Sequence, residues 1–353
     1  MKHLSLFLPV LILATSAFAN QKVSKDSPYQ TLFFEDEFEA RPANDSDECY
    51  TKVHSCSLFP PAFTVDACPS HQDMAHLKDL NKCVWVPYAG YNFWNKARKD
   101  TFRTENIEIK NGMLILKFSK NPFYDPNGPQ DCGDTSYKEM RKDPKKGTNC
   151  QFLSAGMHSR FQSEKRKGMN SLYGRVEMRA WIQTRHTGYA AFWMWPEALG
   201  QGYPNVAKTD QIQSNPDGSI KMNNTSEIDI WESSSSHKKN AKYGTQSLHN
   251  WVAGTDTGPK GSAHSFTSLK SRFRYRDGWH TYGVERSPGK LRFYIDNKYT
   301  HTLQDGKKHH SGDRRKMIVS DLPGFLIMSL VGENFDAFDG DEQILVDSVR
   351  VFR

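Results

Sequence analysis

The sequence predicts an all-β chain of antiparallel sheets, and three observations carry that expectation. Apolar and polar residues alternate with a period of two in one window after another, while few windows show the 3.6-residue repeat of a helix. Aromatic and β-branched residues are abundant, with 24 glycines and 17 prolines punctuating them. Many short candidate strands follow one another with no helical stretch between them, the pattern of an antiparallel sandwich or barrel.

The alternation is clearest in Arg175–Ile182. There Val176, Met178, Ala180 and Ile182 share one face, and Arg175, Glu177, Arg179 and Trp181 share the other. The same rhythm marks Met113–Phe118, Tyr189–Trp195, Glu227–Glu232, Gln246–Trp251, Trp279–Arg286, Leu291–Asp296, Phe325–Val331 and Ile344–Phe352. Between Ile295 and Tyr299, the residues Asp296, Asn297 and Lys298 have the chemistry of a tight hairpin turn.

Two stretches break the rhythm. Residues 40–90 carry Cys49, Cys56, Cys68 and Cys83, and residues 121–150 carry Cys132 and Cys150. Both read as disulfide-pinned loop insertions into one domain spanning 20–353, with a separate small module at 40–90 as the alternative. An even cysteine count behind an export signal suits a disulfide framework. A local Cys132–Cys150 bridge is expected, because a Gly-, Pro- and Lys-rich loop joins the two. Irregular gaps and the lack of any Cys-x-x-Cys argue against zinc.

The N-terminus has the layout of a secretory signal peptide over residues 1–19. Lys2 gives the positive start, Leu4 to Ala14 the apolar run, and Ala17-Phe18-Ala19 the cleavage site. That run is too short to span a bilayer, and no later stretch reaches membrane length. The mature chain is therefore expected from near Asn20, secreted or periplasmic, soluble and monomeric. Net charge is +7, with basic runs at 141–146, 165–167, 238–242 and 307–316. Such runs are solvated loops or an attraction for an anionic polymer, such as a sulfated polysaccharide. With no nucleic-acid-binding motif present, nucleic acid is not an expected partner.

The chemistry concentrates in Ser226-Glu-Ile-Asp-Ile-Trp-Glu232. As a strand, this run puts Glu227 and Asp229 on one face and Ile228 and Ile230 on the other. Strict alternation would then drive the Glu232 carboxylate into the core, which is costly. One extra residue, a β-bulge at Ile230-Trp231, returns Glu232 to the face of the other two acids. The two glutamates then lie roughly 13 Å apart at their α-carbons, at ~3.3 Å per residue. Side chains leaning together bring the carboxyl groups to on the order of 5 Å, the separation of a retaining glycosidase. Crowding of three acids raises one pKa toward neutrality. An ordinary polar strand face or a calcium ligand set remains an alternative reading of the spacing.

This run resembles the Glu-x-Asp-x-x-Glu signature of glycoside hydrolase family 16 in its bulged form. Further segments resemble that family's strands in the same order: Phe34-Glu-Asp-Glu-Phe38, Asn111-Gly-Met-Leu-Ile-Leu116, Tyr173-Gly-Arg-Val-Glu-Met-Arg179, Ala191-Phe-Trp-Met-Trp-Pro196, Trp279-His-Thr-Tyr-Gly-Val-Glu285 and Val346-Asp-Ser-Val-Arg-Val351. The resemblance implies a jelly-roll, concanavalin-like β-sandwich of two antiparallel sheets with a cleft across one of them. It also implies a secreted, endo-acting, retaining hydrolase of a β-linked polysaccharide, either a β-1,3-glucan or an algal galactan.

Carried onto this chain, Glu227 is the nucleophile, Glu232 the acid/base and Asp229 the helper. Trp193, Trp195 and Trp231 are expected to bind sugar rings, with His249 at the cleft floor and Trp94 on a loop. No cofactor is needed for the chemistry, although the resemblance implies a structural calcium near Glu37, Gly112 and Asp347. A non-catalytic carbohydrate-binding protein or a transglycosylase on the same scaffold are the alternatives. The Phe-Trp-Met-Trp-Pro-Glu run leans toward glucans, while the stretch from Gly200 to Ser226 and the basic loops lean toward galactans.

Overall fold

The structure is a computed structural model describing residues 26–39, 76–77, 79–80, 84–88, 90–91, 99–128, 132, 149–159, 173–185, 187–196, 212–214, 220–222, 225–233, 244–251, 263–268, 275–307, 319 and 324–353. The signal segment, Cys49, Cys56, Cys68, Cys83, Trp94 and the basic runs at 141–146, 165–167 and 238–242 lie outside these residues. So does the run 307–316 beyond Lys307.

The expected all-β sandwich is what forms. The back sheet runs in the order Ile107–Lys110, Met113–Lys120, Glu342–Phe352, Gly174–Gln183, His280–Ser287, Lys290–Ile295 and Lys298–Gln304, all antiparallel. Leu32–Asp36 joins it beside the far half of Glu342–Phe352. The front sheet runs in the order Ala263–Ser268, Gly244–Trp251, Thr225–Ser233, Gly188–Pro196, Gly324–Gly332, Phe152–His158 and Val86–Pro87. Where the end of Met113–Lys120 pairs with the start of Phe152–His158, the two sheets are stitched together. Among the described residues the only helical segments are two single 3-10 turns, at Thr104–Asn106 and Phe335–Ala337.

Period-two alternation explains the layers. Val176, Met178, Ala180 and Ile182 point inward from the back sheet, as their spacing predicts, and meet Phe192, Met194, Ile228, Leu326, Met328 and Leu330 of the front sheet. Leu77, Leu80, Val84 and Trp85, from the cysteine-bearing 40–90 stretch, pack in the same core. The front sheet is also apolar on its outer side. There Tyr88, Phe102, Trp193, Trp195, Phe325, Ile327 and Val331 form a second cluster. Because alternate residues of one strand feed both clusters, that sheet is buried on both faces where they lie.

Two smaller expectations also hold. The Ile295–Lys298 hairpin turns through Asp296 and Asn297, whose φ values of 49° and 61° are those of a type I′ turn. Cys132 and Cys150 are disulfide-bonded, with α-carbons 4.7 Å apart.

Candidate active site

The site is built on Thr225–Ser233, a strand enclosed between Gly188–Pro196 and Gly244–Trp251. On one flank Glu227 faces His249, Asp229 faces Ser247, and Glu232 faces Thr245. Two residues on the acidic strand separate Asp229 from Glu232, but only one separates their partners Ser247 and Thr245, so the strand bulges between them. The other flank shifts register at the same place. Ile228, Ile230 and Trp231 all enter the core, while the three carboxylates share the opposite face.

The bulge has its own supports. Gln246, buried between the sheets, donates from Nε2 to the Ile230 carbonyl at 3.0 Å and to the Tyr294 carbonyl of the back sheet at 3.3 Å. Thr300 of the back sheet donates in turn to Gln246 Oε1 at 2.6 Å. The indole of Trp231 lies directly over Gly244, where any β-carbon would collide with it.

Trp231 therefore corrects one expectation. It is 1% exposed and packs on Tyr275 and Tyr282 in the core. The bulge that brings Glu232 outward leaves its neighbour facing inward, so Trp231 is no sugar platform. Trp193 and Trp195 do lie on the acid-bearing side, Trp193 directly opposite Asp229. Both are nearly buried in the second cluster, with ring centroids 5.9 Å apart.

Around the acids runs a continuous hydrogen-bond network. His249 Nε2 is 2.7 Å from Asp229 Oδ2, and Ser247 Oγ donates to that same oxygen at 2.8 Å. Tyr189 donates its phenol to Glu232 Oε1, and Thr245 Oγ1 donates to Oε2 at 3.3 Å. Burial, and then the charge of Asp229, push Glu232 up to about 8 against the hydrogen bonds of Tyr189 and Thr245. Burial opposes the charged form of His249, but its hydrogen bond to Asp229 and the charges of Asp229, Glu227 and Glu232 carry it up to about 9. At neutral pH the site thus holds a protonated Glu232 beside an imidazolium.

Asp229, Glu232 and His249 each bring one side-chain oxygen or nitrogen within 4.8 Å of the others. Those atoms already belong to the network, and a cation would have to displace the His249 proton. The calcium expectation points elsewhere. Asp347 sits where its strand shifts register against Gly174–Gln183, and Leu114 and Asp36, close to Gly112 and Glu37, pair with Val346 and Val349. The three positions thus border one stretch of the C-terminal strand. Asp347 pairs with Arg179 at 3.0 Å and Glu37 with Arg350 at 3.3 Å, so main-chain oxygens are the donors left for a hard cation there.

Tyr189, Thr245, Ser247 and Gln246 escaped the sequence reading. Alternation in Gly244–Trp251 puts Thr245 and Ser247 on the face of His249, and that signal could have found them. Nothing local could have placed Tyr189 beside Glu232.

No protein-family model matches the chain, and neither does any curated protein. Solved structures do. The laminarinase catalytic domain of Thermotoga maritima aligns over 92% of this chain and 98% of its own, with a TM-score of 0.53 at 16% identity. A non-specific endo-β-1,3(4)-glucanase of family GH16 aligns over 93% and 95%, with a TM-score of 0.52 at 15% identity. A structure from work on endo-acting O-glycanases of human gut microbiota, which initiate mucin breakdown, aligns over 91% and 90%, with a TM-score of 0.51 at 17% identity.

The fold is a jelly-roll sandwich like that of these solved structures, and the acidic strand lies within it. The resemblance read from the motifs is thereby matched in three dimensions. At these identities the likeness speaks for the fold, and laminarinases recur among the structures that share it.

Proposed function

We propose that the chain is an endo-acting, retaining glycoside hydrolase of a β-linked polysaccharide, with β-1,3-glucan as the leading substrate class. The observation that carries the reading is the strand face on which a bulge assembles Glu227, Asp229 and Glu232, with Glu232 kept protonated near neutrality. A non-catalytic sugar-binding protein has no need of such an acid. In this reading the Glu227 carboxylate attacks the anomeric carbon while Glu232 protonates the departing oxygen; Glu232 then takes a proton from the water that releases the product. Burial, and then the charge of Asp229 held by His249 and Ser247, keep Glu232 protonated. The likeness to laminarinases supports a glucan over a galactan. Export through residues 1–19 belongs to the same reading, and N-terminal sequencing of the mature protein, expected to begin near Asn20, tests it.

The test is reducing-end release on laminarin, lichenan, agarose, porphyran and carrageenans. Laminarin should be cleaved, and Glu227→Gln and Glu232→Gln should each lose nearly all turnover. With an activated substrate and azide, a glycine variant at 227 should give the inverted α-azide and one at 232 the retained β-azide, because only the first lacks the nucleophile. Near-native turnover in both glutamine variants would overturn the reading. Product accumulation as longer chains when acceptor is added would identify a transglycosylase instead.

A further inference from the structure

We propose that Tyr189 is a positioning residue for the acid/base: its phenol occupies Oε1 of Glu232 and leaves Oε2 to carry the transferable proton. The inference deepens the glycosidase reading and rests on it.

Geometry is the starting point. Glu232 pairs across the sheet with Ala191, so Tyr189 is its diagonal neighbour on the same face, within reach of an aromatic side chain. Ala191 itself is small and leaves the space beside the carboxylate to Tyr189. The phenol hydrogen bonds to Oε1, while Thr245 approaches Oε2 at 3.3 Å and Ser247 lies 3.5 Å from Oε2. Ser247 spends its single proton on Asp229, at the shorter 2.8 Å.

The tyrosine is also held from behind. Glu342, 1% exposed, accepts from the main-chain N–H groups of Arg185, Thr187 and Gly188 at 2.8–2.9 Å, clamping the turn immediately before Tyr189. Gly188 packs so closely on that carboxylate that a β-carbon would not fit. On the following residue, the Ala190 N–H donates to Ser233 Oγ at 3.0 Å, locking this strand to the residue after Glu232. Tyr189 therefore enters the site from a turn and a register that are both fixed.

The chemical consequence follows from proton bookkeeping. Burial raises the phenol well above its ordinary range, so it remains an O–H donor at every working pH. A donor on Oε1 favours the tautomer with the carboxylic proton on Oε2. When that proton passes to the leaving oxygen, the glycosidic C–O bond breaks and negative charge appears on Glu232. The Tyr189 hydrogen bond then becomes charge-assisted and strengthens as the transition state forms. The groups facing Glu232 are Asp229 and Glu227 on its own strand, His249, Ser247 and Thr245 on one flank, and Tyr189 on the other. Of these, Tyr189 and Thr245 donate to it directly.

The test is Tyr189→Phe, which keeps the ring in the second cluster and removes only the donor. The Glu232 carboxyl is followed by 13C NMR in protein labelled at the glutamate δ-carbon, assigned by comparison with Glu232→Gln. Loss of the donor should move its midpoint upward by about one pH unit or more. On whichever polymer is cleaved, kcat should fall roughly tenfold with KM unchanged, and activity should persist to higher pH than in the parent. A purely structural tyrosine would lower thermal stability and leave the midpoint in place. An unmoved or lowered midpoint in folded Tyr189→Phe overturns the proposal. The midpoint is read without substrate, so failure of the glycosidase reading, seen as native turnover in Glu232→Gln, registers separately.

Discussion

At the scale of single residues, the site is governed by Glu232. In the proposed mechanism its proton is required for leaving-group departure, so kcat/KM should decline as pH rises through about 8, the value to which burial and the Asp229 charge push it. A pH–rate profile measures this directly, and an alkaline limb near the ordinary carboxylate range would contradict it. The same shifts bear on stability. Glu232 and His249 are both raised in the folded state, so what each contributes is fully present below its unfolded pKa and lost as pH rises. For Glu232 the window runs from 4.5 to about 8, and for His249 from 6.5 to about 9. The Tm should therefore fall between pH 6 and pH 9, and Glu232→Gln should flatten the lower part of that fall. Trp231 shows how residue type misleads on its own. An indole next to a candidate catalytic acid looks like a sugar platform, yet the bulge sends it into the core.

One element decides whether the site exists, and that element is the bulged strand. Its irregularity was legible in the sequence because alternation would otherwise bury a carboxylate, a cost far above that of a local kink. What sustains the bulge was not legible. Gln246 satisfies the Ile230 carbonyl from a neighbouring strand, and Gly244 leaves room for the Trp231 ring. Gln246→Leu should cost about 1–3 kcal/mol by leaving that carbonyl unpaired in the core, measured by urea denaturation. It should also lower kcat, because the register between Asp229 and Glu232 loosens. Gly244→Ala should cost ~1–3 kcal/mol through overpacking against the indole, read as a lower Tm. An unchanged denaturation midpoint in both variants would show that the bulge stands without these supports.

For the whole molecule, two sheets sharing one core support the acid-bearing strand from behind, while the second cluster covers the outer side of the neighbouring strands Gly188–Pro196 and Gly324–Gly332. The Cys132–Cys150 bridge closes a short loop of sequence separation 18 beside Phe152–His158. Replacing both cysteines with serine should remove about 3 kcal/mol, chiefly by freeing the unfolded chain, while β-sheet circular dichroism and turnover persist. Collapse of the sheet signal would show that the loop is part of the folding core. By itself, the sequence determined the strands, the faces of each strand and the three acids, because alternation and the cost of burying charge act within a few consecutive residues. Tertiary structure alone decided which strands lie side by side. It thereby brought Tyr189 and Thr245 to Glu232, Ser247 and His249 to Asp229, and Trp231 to the core. Those contacts join residues far apart in the chain, and pairing between distant strands is set by closure of the whole sandwich, which no local pattern encodes.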